Sequence, residues 1–300
     1  MADQAPLIDE ATRRKLDQLM LSASRVRAGS IKGERRSVKR GTSIEFADYR
    51  NYAPGDDLRR LDWNVYARLD RPYIKLLEDE EDLAVHVLLD ASASMNWGDE
   101  TAPDHHKLLF AKRLFAGLGY ISLGTNDRLA MSAFSSGGVV QFGPVRGRGR
   151  SVALLRFAHS VVGDGATDLN QALKAYALRS GRAGLCFVIS DMFSPTGYLE
   201  GVNTLLGKGH EVVLLHVLSP DEVTPPLTGD LRLVDIETNT IQEVTVDSTM
   251  RELYMRRLNA WRDDIRADCT RRGVHYLPLV TDVPWEKVIL YDLRRLGVVK

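Results

Sequence analysis

Five hydroxyl and carboxyl side chains at three separated points of the chain could together hold a hard cation. Asp90, Ser92 and Ser94 form an Asp-x-Ser-x-Ser run directly after the apolar stretch Leu83–Leu89. Thr167 stands in Gly165-Ala166-Thr167-Asp168-Leu169, just before a stretch of helical periodicity, and Asp191 directly follows the apolar run Leu185–Ser190. Such oxygen donors suit Mg²⁺ or Mn²⁺, which take about six oxygens and keep some water. The same residues also suit helix capping, Asp90 and its serines at one helix start and Thr167 with Asp168 at another. Each run alone favours the cap; three runs at strand ends, in this order, favour the cation.

The elements that must position these oxygens follow from periodicity. Leu83–Leu89 is continuously apolar, which predicts a strand buried on both faces, and Lys107–Ile121 has helical spacing. Next come strand Arg128–Phe134, helices Val152–Val161 and Leu169–Ala177, strand Leu185–Ser190, a helix opening at Pro195 and strand Glu211–Val217. A long helix from about Thr249 to Arg272 stops at Gly273, ahead of strand Val274–Leu279 and a last helix after Pro284. This alternation predicts an α/β fold over residues 83–300, a doubly wound, mostly parallel sheet flanked by helices. Ligands of such sheets bind outside the carboxyl ends of the strands, where the five oxygens fall. Leu231–Glu237 and Ile241–Val246 flank Asn239 as a hairpin insertion near residues 231–246. Ahead of this domain, an N-terminal helix is expected within residues 1–30, polar-faced and peripheral from Asp9 to Arg27. A small β-rich or irregular module is expected over residues 31–82.

In order and loop context, Asp-x-Ser-x-Ser, Gly-x-Thr-x-Leu and the strand-end aspartate resemble the metal-ion-dependent adhesion site of von Willebrand factor A domains. The resemblance implies a von Willebrand factor A-like fold in which Ser92, Ser94 and Thr167 coordinate Mg²⁺ (or Mn²⁺). It also implies that Asp90 and Asp191 act largely through bound water, and that an acidic side chain of a partner takes the open position. The run Gly41–Asp82 resembles the signature of the bacterial family called domain of unknown function 58. It does so through Glu45-Phe46, Tyr49-Arg50, Tyr52, Pro54-Gly55-Asp56-Asp57, Arg59, Asp62-Trp63 and Ala67-Arg68. Many members carry membrane spans ahead of that signature and are encoded beside MoxR-type AAA+ ATPases, which implies an ATPase of that type as a partner.

Lysine plus arginine and aspartate plus glutamate number 40 each, so no net field draws the chain toward nucleic acid or anionic lipid. The arginines among Tyr49, Tyr52, Trp63, Tyr66 and Tyr73 are interleaved with carboxylates that repel phosphate. They are read as packing and ion pairing that fasten the module onto the main domain, in preference to a direct partner-binding surface, and the basic run Lys32, Arg35, Arg36, Lys39, Arg40 as a solvated face. Cys186 and Cys269 lack a Cys-x-x-Cys spacing and read as reduced thiols. No secretory h-region and no apolar run of roughly 18 residues is present, so a cytoplasmic protein without a membrane span is expected. His86 and His216 read as satisfied core residues, adjacent His105 and His106 as poor joint ligands, and Gly143–Arg150 as a mobile surface loop. The expectation is a non-enzymatic, metal-dependent protein–protein interaction module, an adaptor for a MoxR-type ATPase in assembly or remodelling of a client. The alternative is Mg-dependent phosphoryl transfer with Asp90 as nucleophile. Phosphatases of that kind carry a second aspartate two residues on, where this chain has Ser92.

Overall fold

The computed structural model describes residues 6–23, 44–53, 56, 58, 61–79, 83–98, 105–226, 229–234 and 241–300. Contacts divide the chain into two compact units, residues 33–82 and residues 1–32 with 83–300. In the larger unit, α1 (Glu10–Leu16) is capped by Asp9, which accepts a 2.6 Å hydrogen bond from the Thr12 amide. The helix stops after seven residues, short of the span expected to Arg27. The segment is also not peripheral. Leu7, Ile8, Leu16, Leu19, Leu21 and Ala23 are buried in the core, and the Met20 and Lys300 amides each donate to the other's carbonyl at 3.0 and 2.9 Å. Pairing with the C-terminus overrides a weak helical propensity; residues 24–43 lie outside the described ones.

In the smaller unit, β1 (Ile44–Asn51) is followed by α2 (Trp63–Leu69) and β2 (Tyr73–Asp79), and the two strands pair antiparallel with a bulge between Phe46 and Asp48. Asp62 caps α2 from both the Asn64 and Val65 amides and also accepts the Tyr49 hydroxyl at 2.9 Å. Arg50 and Asp56 form an ion pair at 2.7 Å. Pro54, Gly55, Asp57 and Arg59 of the signature, and the basic run from Lys32 to Arg40, lie outside the described residues.

The larger unit continues with β3 (Ala84–Asp90), α3 (Lys107–Gly124), β4 (Arg128–Ser135), β5 (Gly138–Val145), α4 (Ser151–Ser160), α5 (Leu169–Arg179) and β6 (Leu185–Ser190). Then come α6 (Leu199–Gly207), β7 (Glu211–Leu218), β8 (Gly229–Val234), β9 (Ile241–Val246), α7 (Ser248–Arg272), β10 (His275–Val280) and a helical segment over 285–295 with a π-turn at its centre. Six strands form one sheet in the order β10-β7-β6-β3-β4-β5, parallel throughout except for β5. Every residue of β3, β6 and β7 is buried, as central parallel strands require. Alternate side chains then serve opposite faces. Val85, Val87 and Leu89 meet α3, α4 and the C-terminal segment, while Leu88, Cys186, Val188, Val212 and Leu214 meet α5, α6 and α7.

Two local expectations fail. The stretch expected to be a mobile loop from Gly143 begins instead as the end of β5, with Val145 opposite Leu129, and passes through a tight turn at Arg148–Arg150 into α4. Pro144 is tolerated because β5 is the sheet's edge. The helix expected to open at Pro195 starts at Leu199, because Gly197 donates to the Ser194 carbonyl and Asn170 holds the Thr196 carbonyl, closing a turn first. β8 and β9 pair as a hairpin, and Asn239 lies outside the described residues. Among the described residues no helix is long and apolar enough to cross a membrane.

β3 and β6 approach closely at their start, where a Cβ on Gly184 would overlap the Ala84 carbonyl. Gly184→Ala should therefore cost about 2 kcal/mol, the scale of an overpacked core. Urea denaturation checks it, and a wild-type midpoint would contradict this packing.

Candidate functional site

β3 and β6 are neighbours whose onward connections run in opposite directions, to β4 on one side and β7 on the other. The crevice at their carboxyl ends is the switch point of the sheet. Asp90 ends β3 and is 3% exposed; Asp191 follows β6 and is 1% exposed. One Asp90 oxygen accepts the Ser92 amide at 3.0 Å and the other accepts the Ser190 hydroxyl at 2.7 Å, which ties the two strand ends together. The Ser92 and Ser94 hydroxyls lie 3.0 Å apart, Ser92 buried and Ser94 partly exposed. A third segment joins them: Asp164 donates to the Ala91 carbonyl at 3.0 Å, and Ala93 donates to the Gly165 carbonyl at 2.7 Å. Gly165 has φ +58°, and a side chain there would collide with Ser136, so the close approach of this loop needs glycine.

Thr167 separates the two readings of these residues. The cap of α5 is Asp168, which accepts the Gln171 amide at 2.9 Å. Ser92 makes no side-chain cap bond either. The Thr167 hydroxyl is buried and has no hydrogen-bond partner among the described residues. A buried hydroxyl left unpaired costs about 1–3 kcal/mol, so its position calls for a ligand rather than a cap.

The electrostatics have the same sign. Burial, followed by the Asp191 charge, pushes the Asp90 carboxyl up to about 6 against the pull of its hydrogen bonds from Ser190 and Ser92. Asp191 accepts the Phe193 amide at 3.1 Å and the Lys107 ammonium at 2.8 Å. Lys107 is fully buried and also reaches Glu222 at 2.7 Å. Asp191 and Glu222 share this one ammonium and Asp90 has only neutral donors, so two of the three negative charges remain unmatched when all are ionised. Met192 sits between Asp191 and Phe193 with φ +61°, a strained conformation for a side chain of its size. Among the described residues no three His, Cys, Asp or Glu side chains cluster, so a cation here would need the hydroxyl oxygens as well.

Lys107, Ser190 and Glu222 are absent from the set singled out by sequence. A lysine opening an apolar helix, where the dipole disfavours a cation, was the one signal of the first. His86 is satisfied, by the Tyr176 hydroxyl at 2.6 Å and the Arg182 carbonyl at 3.0 Å. His216 is only half satisfied. Its Nδ1 meets the Tyr276 hydroxyl at 2.7 Å while the buried Nε2 has no partner among the described residues, and burial pushes the ring down to about 4. His106 caps α3 and His105 accepts the Thr281 hydroxyl through its carbonyl, so neither joins the site.

Several known proteins resemble the chain, most of them over more than two thirds of its length. An uncharacterized protein of Mycobacterium tuberculosis is 28% identical over 274 residues, which is 90% of this chain and 85% of that one. An uncharacterized protein of Mycobacterium avium is 31% identical over 118 residues, 39% of this chain and 69% of that one. Among solved structures, the conserved hypothetical protein BatB of Bacteroides thetaiotaomicron matches with a TM-score of 0.43 and 17% identity, over 72% of this chain and 98% of that one. An aerotolerance-related membrane protein of Bacteroides fragilis matches with 0.44 and 18%, over 71% and 99%. Residues 48–264, which take in the smaller unit's signature from Tyr49 onward and the strand-end site, match the family described as protein of unknown function DUF58, and the chain belongs to that family.

Proposed function

We propose that this chain is a non-enzymatic, metal-dependent protein–protein interaction module with a von Willebrand factor A-like domain. Ser92, Ser94 and Thr167 would hold Mg²⁺ or Mn²⁺, and Asp90 and Asp191 would balance its charge. The observation that carries this reading is the buried, unpartnered Thr167 hydroxyl on a loop pinned to the Asp90 and Ser92 segment. Two uncompensated negative charges beside it fit a divalent ion. When bound, the ion would offer an open position to a partner's carboxylate. The resemblance to the family's signature suggests a MoxR-type AAA+ ATPase as that partner, with the chain as its adaptor for a client. Both cysteines are free and buried, which suits a reducing compartment, and the cytoplasm is the location proposed.

Thr167→Val gives the sharpest test. Because the hydroxyl has no partner among the described residues, the change should leave metal-free stability within about 0.5 kcal/mol of wild type or raise it. The same change should weaken Mg²⁺ binding at least tenfold by calorimetry. Equal Mg²⁺ affinity in the variant would remove the hydroxyl from the site. Asp90→Ala should abolish the stabilisation of about 2.7 kcal/mol expected at a hundredfold excess of Mg²⁺ over Kd. It should also abolish Mg²⁺-dependent capture of the ATPase in a pull-down that EDTA blocks for wild type.

The buried carboxyl predicts an opposite effect on the metal-free protein. Its folded value of about 6 lies above the ordinary carboxyl value of 3.8, so the folded state binds more protons between those limits. Stability present below about pH 4 is then lost as pH rises toward 6 and stays lost at neutral pH. Asp90→Asn removes that charge and should raise metal-free stability at pH 7 by about 1 kcal/mol or more while eliminating the Mg²⁺ response. Thermal melts in EDTA at pH 4 and pH 7 would show the gain at the higher pH alone, and a loss at both would refute the argument.

A further inference from the structure

The helices on the second face of the sheet leave its β4–β5 side open. The apolar cluster on that face takes Phe134 from β4 and no residue from β5. A cavity of about 320 Å³ opens there, between these strands, the start of β3 and the end of α5. That volume is at the low end of small-molecule sites, roughly 300–1,000 Å³. Three guanidinium groups line it: Arg128 where β4 begins, Arg179 at the last residue of α5, and Arg182 in the connection to β6. Among the described residues no aspartate or glutamate lines it, and none of the three arginines has a carboxylate partner. Elsewhere the larger unit pairs its arginines readily, as Arg271 and Arg272 do with Asp268.

The floor is built rather than incidental. His86 and Ser132 are buried there, on adjacent strands. The Arg182 carbonyl can only accept, so His86 donates from Nε2 and accepts a hydrogen bond from the Tyr176 hydroxyl at Nδ1, which anchors the segment carrying Arg182. Burial, then the neighbouring His210, pushes this imidazole down to about 4, so it adds no charge and serves as a fixed dipole. Ala130 and Pro144 supply an apolar wall beside the arginines, while the Phe142 ring turns to the sheet's other face and stacks on Phe157.

We propose that this cavity binds a small organic phosphate, a phosphate group carried on a flat or apolar body. Guanidinium forks match phosphate oxygens two at a time, and three of them without a carboxylate suit a group bearing more than one negative charge. A monocarboxylate would leave most of that charge unmet. Free inorganic phosphate would meet the charge and leave the wall of Ala130 and Pro144 unused. The site is independent of any cation at the strand ends, since β3 presents its first residues here and its last residue there.

Titration calorimetry of the full chain with phenyl phosphate, in EDTA so that no divalent ion contributes, tests the assignment. Saturable one-to-one binding is expected, with inorganic phosphate weaker. Arg128→Ala and Arg182→Ala should each weaken phenyl phosphate binding about tenfold or more, a charge-assisted contact apiece. Arg156→Ala, an exposed arginine on α4 away from the cavity, should leave it unchanged. Absence of saturable binding to wild type would overturn the site. So would affinity that survives both substitutions, or benzoate binding as tightly as phenyl phosphate. Equal affinity for inorganic phosphate would overturn the organic body.

Discussion

Two carboxyl groups withdrawn from water at the ends of neighbouring strands set the terms for everything around them. An isolated buried carboxylate is among the most expensive groups a fold can carry, and a second one beside it adds repulsion. The chain answers each differently. Asp90 is held by neutral donors, the Ser190 hydroxyl and the Ser92 amide, which soften the penalty without cancelling its charge. Asp191 receives a full cation, Lys107, from the first residue of α3. That ammonium stands against the helix dipole and is tolerated because Glu222, in the turn after β7, shares it. The ends of β3, β6 and β7 and the start of α3 are thereby fastened by one charged network.

Sheet order makes this concentration unavoidable. At the switch point no connection crosses over the strand ends, so loops must fold inward to fill the crevice. The segment from Asp164 to Thr167 does so by backbone hydrogen bonds to Ala91 and Ala93, and its glycine admits the approach to Ser136. Helix capping is thereby displaced onto Asp168, one residue further on. The same order leaves the opposite end of the sheet less covered, because β5 turns back antiparallel and brings no crossover helix to the second face.

The central strands were legible because burial on both faces demands unbroken apolar runs, and LAVHVLL, LCFVIS and EVVLLHVL stand out as such. β5 was not, since five of its first six residues have the exposure of an edge and its Gly143-Pro144 reads as a loop. The N-terminal segment misled for another reason: its apolar spacing serves extended pairing with Val299 as well as a helix. At the site, the aspartates, serines and threonine announced themselves through their place after strands. Lys107 and Glu222 did not, since 84 and 31 residues separate them from Asp191 along the chain and nothing local links them. A charge network among distant residues has no periodicity to read.

Apart from Thr167, every residue of the strand-end group could be explained singly without a ligand. Taken together, the local costs are harder to explain so. An unpaired buried hydroxyl at Thr167 costs about 1–3 kcal/mol, and a left-handed methionine at position 192 adds of order 1 kcal/mol. A carboxyl raised from 3.8 to about 6 adds roughly 3 kcal/mol more when it ionises at neutral pH. That is a large part of the net stability of an ordinary domain, roughly 5–15 kcal/mol, concentrated within one crevice. A divalent ion would act on two of the three costs at once, giving the hydroxyl a partner and the carboxylates a counter-charge. A helix cap would relieve neither, because Asp168 already fills that role.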